Sequence, residues 1–247
     1  MTELYGLIGY PLGHSFSAKY FAEKFAAQGI NAAYRNFAIE TIDLLPGILK
    51  SNPTLRGFNV TIPYKQQVMR YLDSIDETAG IIGAVNAVCV SRTGNDIKLM
   101  GHNADVIGFT ESLRPLLKPQ HKNALVLGTG GASKAVVYGL RQLGIKPQYV
   151  SRTRREGIIA YEDITPETLG EYKLIVNCTP LGMFPNVNSA PNIPYHALTP
   201  EHLLYDLVYN PEETLFLRKG REQGAAVKNG IDMLHLQAEA SWNFWNK

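Results

Sequence analysis

The 247-residue sequence predicts an α/β protein of two domains, an N-terminal one with a mainly parallel sheet and a C-terminal one of Rossmann type. Three observations predict it. Short apolar runs alternate with helical patterns along the whole chain, as repeated βαβ units require. A glycine-rich turn, Gly128-Thr129-Gly130-Gly131-Ala132-Ser133, sits between an apolar run and an amphipathic helix. The texture changes around Asp105, which places a linker near residues 103–120 in a chain long enough for two modest domains.

The elements follow in order. "LYGLIGY" (Leu4–Tyr10) reads as a strand. Phe16 to Ala27 reads as a helix, with Tyr20, Phe21 and Phe25 on related faces, stopped near Gly29. "AAYRNFAI" is a second strand, Thr41 is an N-cap for the short segment after it, and "LRGFNV" is a third strand. Pro63 suits a first helical position, because its missing N–H would have no partner there. "AVNAVCV" and "IKLMGHN" are two further strands joined at "RTGND". "DVIGFTESLRPLLK" is a helix expected to break at Pro119, and "NALVLGTGGASKAVVYGLRQLG" is a strand, turn and helix. "PQYVSRT", "KLIVNCTP" and "HLLYDLVYN" are three more buried strands, and "GIDMLHLQAEASWNFW" is a closing helix.

Bulk properties exclude several classes. With 45% hydrophobic and 19% charged residues, the chain has ample core material and no disorder signature. A net charge of +2 argues against nucleic acid or a membrane surface as partner. Cys89 and Cys178 stand far apart in apolar runs, so a reducing compartment is expected. No basic-then-apolar leader and no run of about 18 apolar residues occurs, and a soluble cytoplasmic protein is expected.

The glycine turn has the strand before it and the helix after it (Val136, Leu140, Leu143) that a dinucleotide site needs. Its backbone N–H groups can approach a pyrophosphate at the helix N-terminus, although an ordinary βα loop is the plainer alternative. An NAD site usually offers an acid about 20 residues beyond the glycines. Here that place holds Ser151-Arg152-Thr153-Arg154-Arg155. Guanidinium forks match a phosphate, which favours NADP over a merely solvated basic loop.

Four stretches place hydrogen-bonding groups where strands end: His14-Ser15-Phe16-Ser17, Asn59-Val60-Thr61, Val85-Asn86-Ala87 and Gly101-His102-Asn103-Ala104-Asp105. Ligands bind beyond the carboxyl ends of strands in open α/β sheets, and such groups suit a polyhydroxylated, acidic small molecule. Each has a structural alternative: a helix cap at Ser15 or Ser17, a turn at Asn86, hydrogen-bonded structural roles for His14 and His102. No spacing supports a metal. Redox at an alcohol or ketone needs a proton carrier, and Lys65 and Asp105 are the candidates, with a surface lysine as the alternative. Lys65 is expected in the first turn of the helix opened by Pro63, where the dipole disfavours its charge.

These motifs identify a family. The chain resembles shikimate dehydrogenases in "GHSFS", "NVTIPYK", "GAVNAV", "GHNADVIGF", "GTGGASKAV", "SRT", "NCTPLGM", "YDLVYNP" and "NGIDMLHLQA". The resemblance implies reversible reduction of 3-dehydroshikimate to shikimate with NADPH. It implies a catalytic pair of Lys65 and Asp105, Ser15 and Ser17 on the substrate carboxylate, and Asn59, Thr61, Asn86, Asp105 and Gln237 on its hydroxyls, with Tyr209 closing over it. Gly128, Thr129, Gly130, Gly131 and Ala132 would line the pyrophosphate, Ser151, Arg152 and Thr153 the 2′-phosphate, and Leu207 and Gly230 the nicotinamide. It further implies a substrate domain of residues 1–103 plus 231–247 and an NADP domain of 104–230, with a homodimer left open as the assembly.

The chain departs from the family pattern at Ala18, Ala87 and Ala104, and in having "SRT" for "NRT". Ala87 and Ala104 remove hydroxyls expected near the substrate. An NAD-dependent quinate/shikimate dehydrogenase and a non-catalytic nucleotide-sensing protein are the alternative readings.

Overall fold

The computed structural model describes residues 1–13, 16–94 and 96–247. His14, Ser15 and Asn95 lie outside the described residues. The chain divides into two compact units, Met1–Ala104 with Ala238–Lys247, and Asp105–Gln237.

The first unit contains β1 (Glu3–Gly9), α1 (Phe16–Gln28), β2 (Ala32–Ala38), α2 (Leu45–Ser51), β3 (Leu55–Val60), β4 (Ser74–Ile75), α3 (Glu77–Ile82), β5 (Ala87–Thr93) and β6 (Asp96–His102). Its sheet runs β2-β1-β3-β5-β6-β4. The β1–β2, β1–β3 and β4–β6 pairs are parallel, and β3–β5 and β5–β6 are antiparallel. The antiparallel β5 brings its amino end beside the carboxyl ends of β3 and β6.

Helix α1 buries Ser17, Phe21 and Phe25, spaced i, i+4, i+8, which is one helical face. It ends at Gly29, whose φ of +63° is the left-handed cap that glycine adopts without penalty. Phe21 and Phe25 join Tyr5, Trp242 and Trp245 in an aromatic cluster. Tyr5 and Trp245 stack with ring centroids 5.1 Å apart. Full burial of such a side chain contributes roughly 1.5–3 kcal/mol, so this cluster is the main anchor of the last ten residues. Gly57 on β3 makes room for it: a Cβ there would lie 2.5 Å from the Trp245 ring.

The second unit contains α4 (Asp105–Leu113), β7 (Asn123–Leu127), α5 (Gly131–Gln142), β8 (Lys146–Ser151), β9 (Ile158–Ala160), α6 (Pro166–Glu171), β10 (Leu174–Asn177), β11 (Leu203–Asp206), α7 (Leu215–Glu222) and β12 (Ala226–Lys228). The closing helix α8 (Ile231–Trp245) begins in this unit, and the division by contacts falls within it at Gln237. The first unit resumes at Ala238, whereas the sequence predicts the return at residue 231, the first residue of that helix. All five strand pairs are parallel, in the order β12-β11-β10-β7-β8-β9. Counted from β7 this is 3-2-1-4-5-6, the doubly wound Rossmann order.

The continuous apolar strands have a direct cause. Ala124 and Val126 of β7 face one core while Leu125 and Leu127 face the other, and β10 and β11 divide the same way. A sheet covered on both faces leaves no polar side to alternate with.

The structure corrects two expectations about helix ends. The helix from Asp105 ends at Leu113, and a 3-10 turn at Arg114–Leu116 follows, because Pro115 rather than Pro119 interrupts the N–H ladder. Pro63 opens no helix. Residues 61–66 form turns, and only a short 3-10 helix, Gln67–Tyr71, comes after them. The physical reason is that the Lys65 carbonyl accepts the N–H of Val85 at 2.7 Å, while Tyr64 is buried and donates its hydroxyl to Ile39 O at 2.6 Å. Distant partners hold this segment beside the local bond from the Val68 N–H to Tyr64 O at 2.9 Å, and Lys65 precedes the short 3-10 helix instead of sitting in the first turn of an α-helix. Thr41 caps as expected, accepting the Asp43 N–H at 3.4 Å at the start of a 3-10 turn.

Candidate active site

The glycine turn leaves β7 at Gly128, whose φ of +104° favours glycine. The Gly128 N–H donates to Val150 O at 2.8 Å, and a Cβ on Gly128 would meet Thr179 Cγ2 at 3.0 Å. The turn therefore lies at the switch point, where the connections from β7 and β10 part. Gly130 is the N-cap of α5 and supplies no side-chain cap, and the Ser133 hydroxyl donates to Gly130 O instead of accepting. A Cβ on Gly130 would meet nothing within 4 Å. Thr129 and Gly130 are exposed, and Gly131 and Ala132 half-buried. Uncapped N–H groups under open space fit a pyrophosphate.

At the carboxyl end of β8, Ser151 and Thr153 bond to each other: the Ser151 hydroxyl donates to Thr153 O at 2.5 Å and accepts the Thr153 N–H at 3.2 Å. The three arginines are not equivalent. Arg154 pairs with Asp163, whose carboxyl is held below its ordinary range first by the Ala160 N–H and then by Arg154. Arg152 and Arg155 are exposed. A loop with Arg152 directly after the strand, and no Asp or Glu at 151–155, fits a 2′-phosphate.

In the first unit, the carboxyl ends of β1, β3 and β6 and the amino end of β5 bring the polar residues together. Val60 N–H donates to Asn86 O at 2.9 Å, Asn86 N–H to His102 O at 3.1 Å, and Thr61 N–H to Ile8 O at 2.9 Å. Asn59 is buried; its amide donates to Asn86 O at 3.1 Å and to Ser241 Oγ at 2.8 Å, and its Oδ1 accepts the Tyr34 hydroxyl at 2.9 Å. Both Asn59 N–H groups are thus used within the unit, which leaves one lone pair of Oδ1 for any ligand. Asn86, also buried, accepts the Ala104 N–H through Oδ1 at 2.6 Å. Ser17 bonds to Tyr34, whose phenol burial pushes well above its ordinary range. Lys65 is half-buried next to Tyr64. Ser15 lies outside the described residues.

Ala87 and Ala104, where the family carries hydroxyls, are completely buried. His102 pairs with Asp76 and stacks on Phe244 at 4.7 Å, which is a structural role. Asp76 also caps α3, accepting the Ala79 N–H at 2.7 Å.

In the second unit, buried Asp105 opens α4, where a carboxylate suits the positive end of the dipole. Gln237 is buried on α8 and donates to Leu234 O at 2.9 Å. Gly108 lets α4 approach α8, since a Cβ would lie 2.5 Å from Met233 O. Leu207 N–H donates to Asn177 O at 3.0 Å, and Gly230 packs against Leu207, with a Cβ at 2.2 Å from its carbonyl. Tyr209, just beyond, is 38% exposed.

Sequence reasoning missed a buried polar cluster of Asn177, Asp206 and Thr214. Its signal was present: "LIVN" and "LLYD" each close an apolar strand on one polar residue. Among the described residues no three His, Cys, Asp or Glu side chains cluster as a metal site, and no helix is long and apolar enough to cross a membrane. Cys89 and Cys178 are free thiols.

Comparison with known proteins bears on this arrangement. Residues 7–88 match the family model described as "Shikimate dehydrogenase substrate binding domain". The chain is 36% identical to shikimate dehydrogenase (NADP(+)) of Desulforamulus reducens over 99% of its own length and 90% of that protein. It superposes on shikimate 5-dehydrogenase of Thermus thermophilus, solved with NADP(H) and shikimate, with a TM-score of 0.85 and 32% identity, covering 98% of this chain and 93% of that one. It also superposes on the Listeria monocytogenes enzyme, solved with shikimate and NAD, with a TM-score of 0.87 and 28% identity, covering 99% and 92%.

Proposed function

The chain belongs to the shikimate dehydrogenase family, and we propose that it catalyses the reversible NADPH-dependent reduction of 3-dehydroshikimate to shikimate, a step toward the aromatic amino acids. The observation that carries the cofactor choice is the end of β8, where Arg152 and Arg155 are exposed and residues 151–155 include no Asp or Glu. We assign dinucleotide binding to the second unit and substrate binding to the first, whose residues match the substrate-domain model.

The glycine turn at 128–132 would hold the pyrophosphate, Ser151, Arg152 and Thr153 the 2′-phosphate, and Leu207 and Gly230 the nicotinamide. When bound, NADPH supplies a hydride to the ketone carbon. Lys65 gives a proton to the ketone oxygen as it becomes a hydroxyl, and takes it back in the oxidative direction. Asp105 partners Lys65 in this proton transfer and accepts a hydrogen bond from a ring hydroxyl. Ser15 and Ser17 bind the carboxylate, and Thr61, Asn86, Gln237 and Tyr209 the rest of the ring. Asn59 acts mainly by positioning, because its N–H groups hold Asn86 and Ser241.

The decisive experiment follows reduced-cofactor absorbance with purified protein, shikimate and NADP, then with NAD, then with quinate and each cofactor. Turnover with shikimate and NADP at the highest kcat/KM is expected. Preference for NAD would remove the role given to Arg152 and favour the NAD-dependent quinate/shikimate alternative; the Listeria enzyme was solved with shikimate and NAD. The same reading places the protein in the cytoplasm and makes a homodimer the assembly to test by light scattering.

A further inference from the structure

A single buried carboxylate ties together three segments of the second unit. Asp206 closes β11 and is inaccessible to solvent. Its Oδ1 accepts Asn177 Nδ2 at 2.9 Å and the Val208 N–H at 3.0 Å, and its Oδ2 accepts the Thr214 hydroxyl at 2.6 Å. Asn177 relays the constraint: its Oδ1 accepts the N–H and the hydroxyl of Thr179 at 3.0 and 2.6 Å. Thr179 in turn accepts the Leu181 N–H at 3.3 Å. Thr214 is the N-cap of α7, accepting the Leu217 N–H at 3.4 Å. The loop after β10, the loop after β11 and the start of α7 thus share one anchor.

The strand order says which part of a ligand this anchor serves. A dinucleotide lies across the switch point, here between β7 and β10. The arginine-bearing end of β8 is on one side and takes the 2′-phosphorylated adenosine half. The loops after β10 and β11 are on the other side and face the redox half. Thr179 also lies against the glycine turn, where its methyl would meet a Cβ on Gly128 at 3.0 Å, Leu207 stands between Asp206 and Val208, and the Gly230 N–H donates to Val208 O at 3.2 Å.

We propose that Asp206 is a positioning residue for the nicotinamide half of the cofactor site, acting through Asn177, Thr179 and Val208 without itself touching cofactor or substrate. The inference rests on the proposed NADP function. Asp206 does this through geometry, not charge: an Asn side chain keeps an oxygen for Asn177 and Val208, and its NH2 donates to the Thr214 hydroxyl, which can accept. Asp206→Ala removes all three anchors.

The test compares binding of NADPH with binding of adenosine 2′,5′-bisphosphate, which carries only the 2′-phosphate half, by calorimetry. Asp206→Ala and Thr179→Val are expected to weaken NADPH at least tenfold and the bisphosphate less than twofold, while Asp206→Asn stays within about threefold of the original protein for both. In the protein without cofactor, amide hydrogen exchange over residues 179–182 rises at least tenfold in both variants, over residues 207–208 in Asp206→Ala alone, and in neither over β8. Thr179→Val keeps Asp206 and its three bonds, so it carries the test if Asp206→Ala does not fold. Equal weakening of both ligands, or unchanged NADPH affinity, overturns the inference and leaves the function standing. Failure of the unsubstituted protein to bind NADPH overturns both.

Discussion

The side-chain oxygen of Asn86 accepts the backbone N–H of Ala104 at 2.6 Å, with both residues buried. Asp105, the proposed partner of Lys65, is the next residue in the chain, so Asn86 fixes the point from which α4 departs. Replacing Asn86 by Ala leaves a buried N–H without its acceptor, which costs about 1–3 kcal/mol. Urea denaturation should show that loss, and kcat measured well below the transition should fall as well. A stability change under about 0.5 kcal/mol would show that this bond is not what holds the segment.

Lys65→Ala should lower kcat by about 10²–10⁴-fold with a modest change in KM for shikimate, the scale on which general acid–base groups act. Steady-state kinetics in both directions check it. Near-normal kcat would remove Lys65 from the chemistry.

Arginine substitutions at the end of β8 should separate. Arg152→Ala should raise KM for NADP by roughly 10-fold or more and leave KM for NAD nearly unchanged, as expected when a charge-assisted contact of about 1.5–3 kcal/mol is lost. Arg154→Ala should change neither, because its guanidinium is already paired with Asp163. Equal effects of the two would refute the distinction.

Burial raises the Asp206 carboxyl from an ordinary 3.8 to about 6, against the lowering effect of its three hydrogen bonds. Between those values the folded protein keeps a proton that the unfolded chain has released, so stability from this group is full below about pH 4 and is lost as pH rises through about 6. At about 1.4 kcal/mol per pH unit the difference is about 3 kcal/mol. Denaturation of Asp206→Asn beside the unsubstituted protein, from pH 4 to 7, should show the variant gaining relative stability with rising pH. A parallel pair of curves would contradict the shift.

The parts of the fold legible in the sequence were those with local causes. "NALVL", "LIVN" and "LLYD" announced strands buried on both faces, and the glycine turn announced its own βα connection. The strands β9 and β12 went unread because they are short, half-exposed sheet edges with no continuous apolar run. Pro63 misled for the complementary reason. Its local chemistry suits a helix start, yet the Lys65 carbonyl is held by Val85, and a tertiary hydrogen bond displaced the helical one.

The sequence by itself determined the alternation of strands and helices and the glycine turn with arginines beyond it, because each depends on residues close together in the chain. Tertiary structure alone decided that Asn59 holds Ser241 from 182 residues away, that Arg154 is occupied while Arg152 is exposed, and that Asp206 gathers donors from three segments. Buried polar groups must find partners wherever the fold brings them, and strand order, which sets those meetings, is a property of the packed sheet rather than of any local stretch.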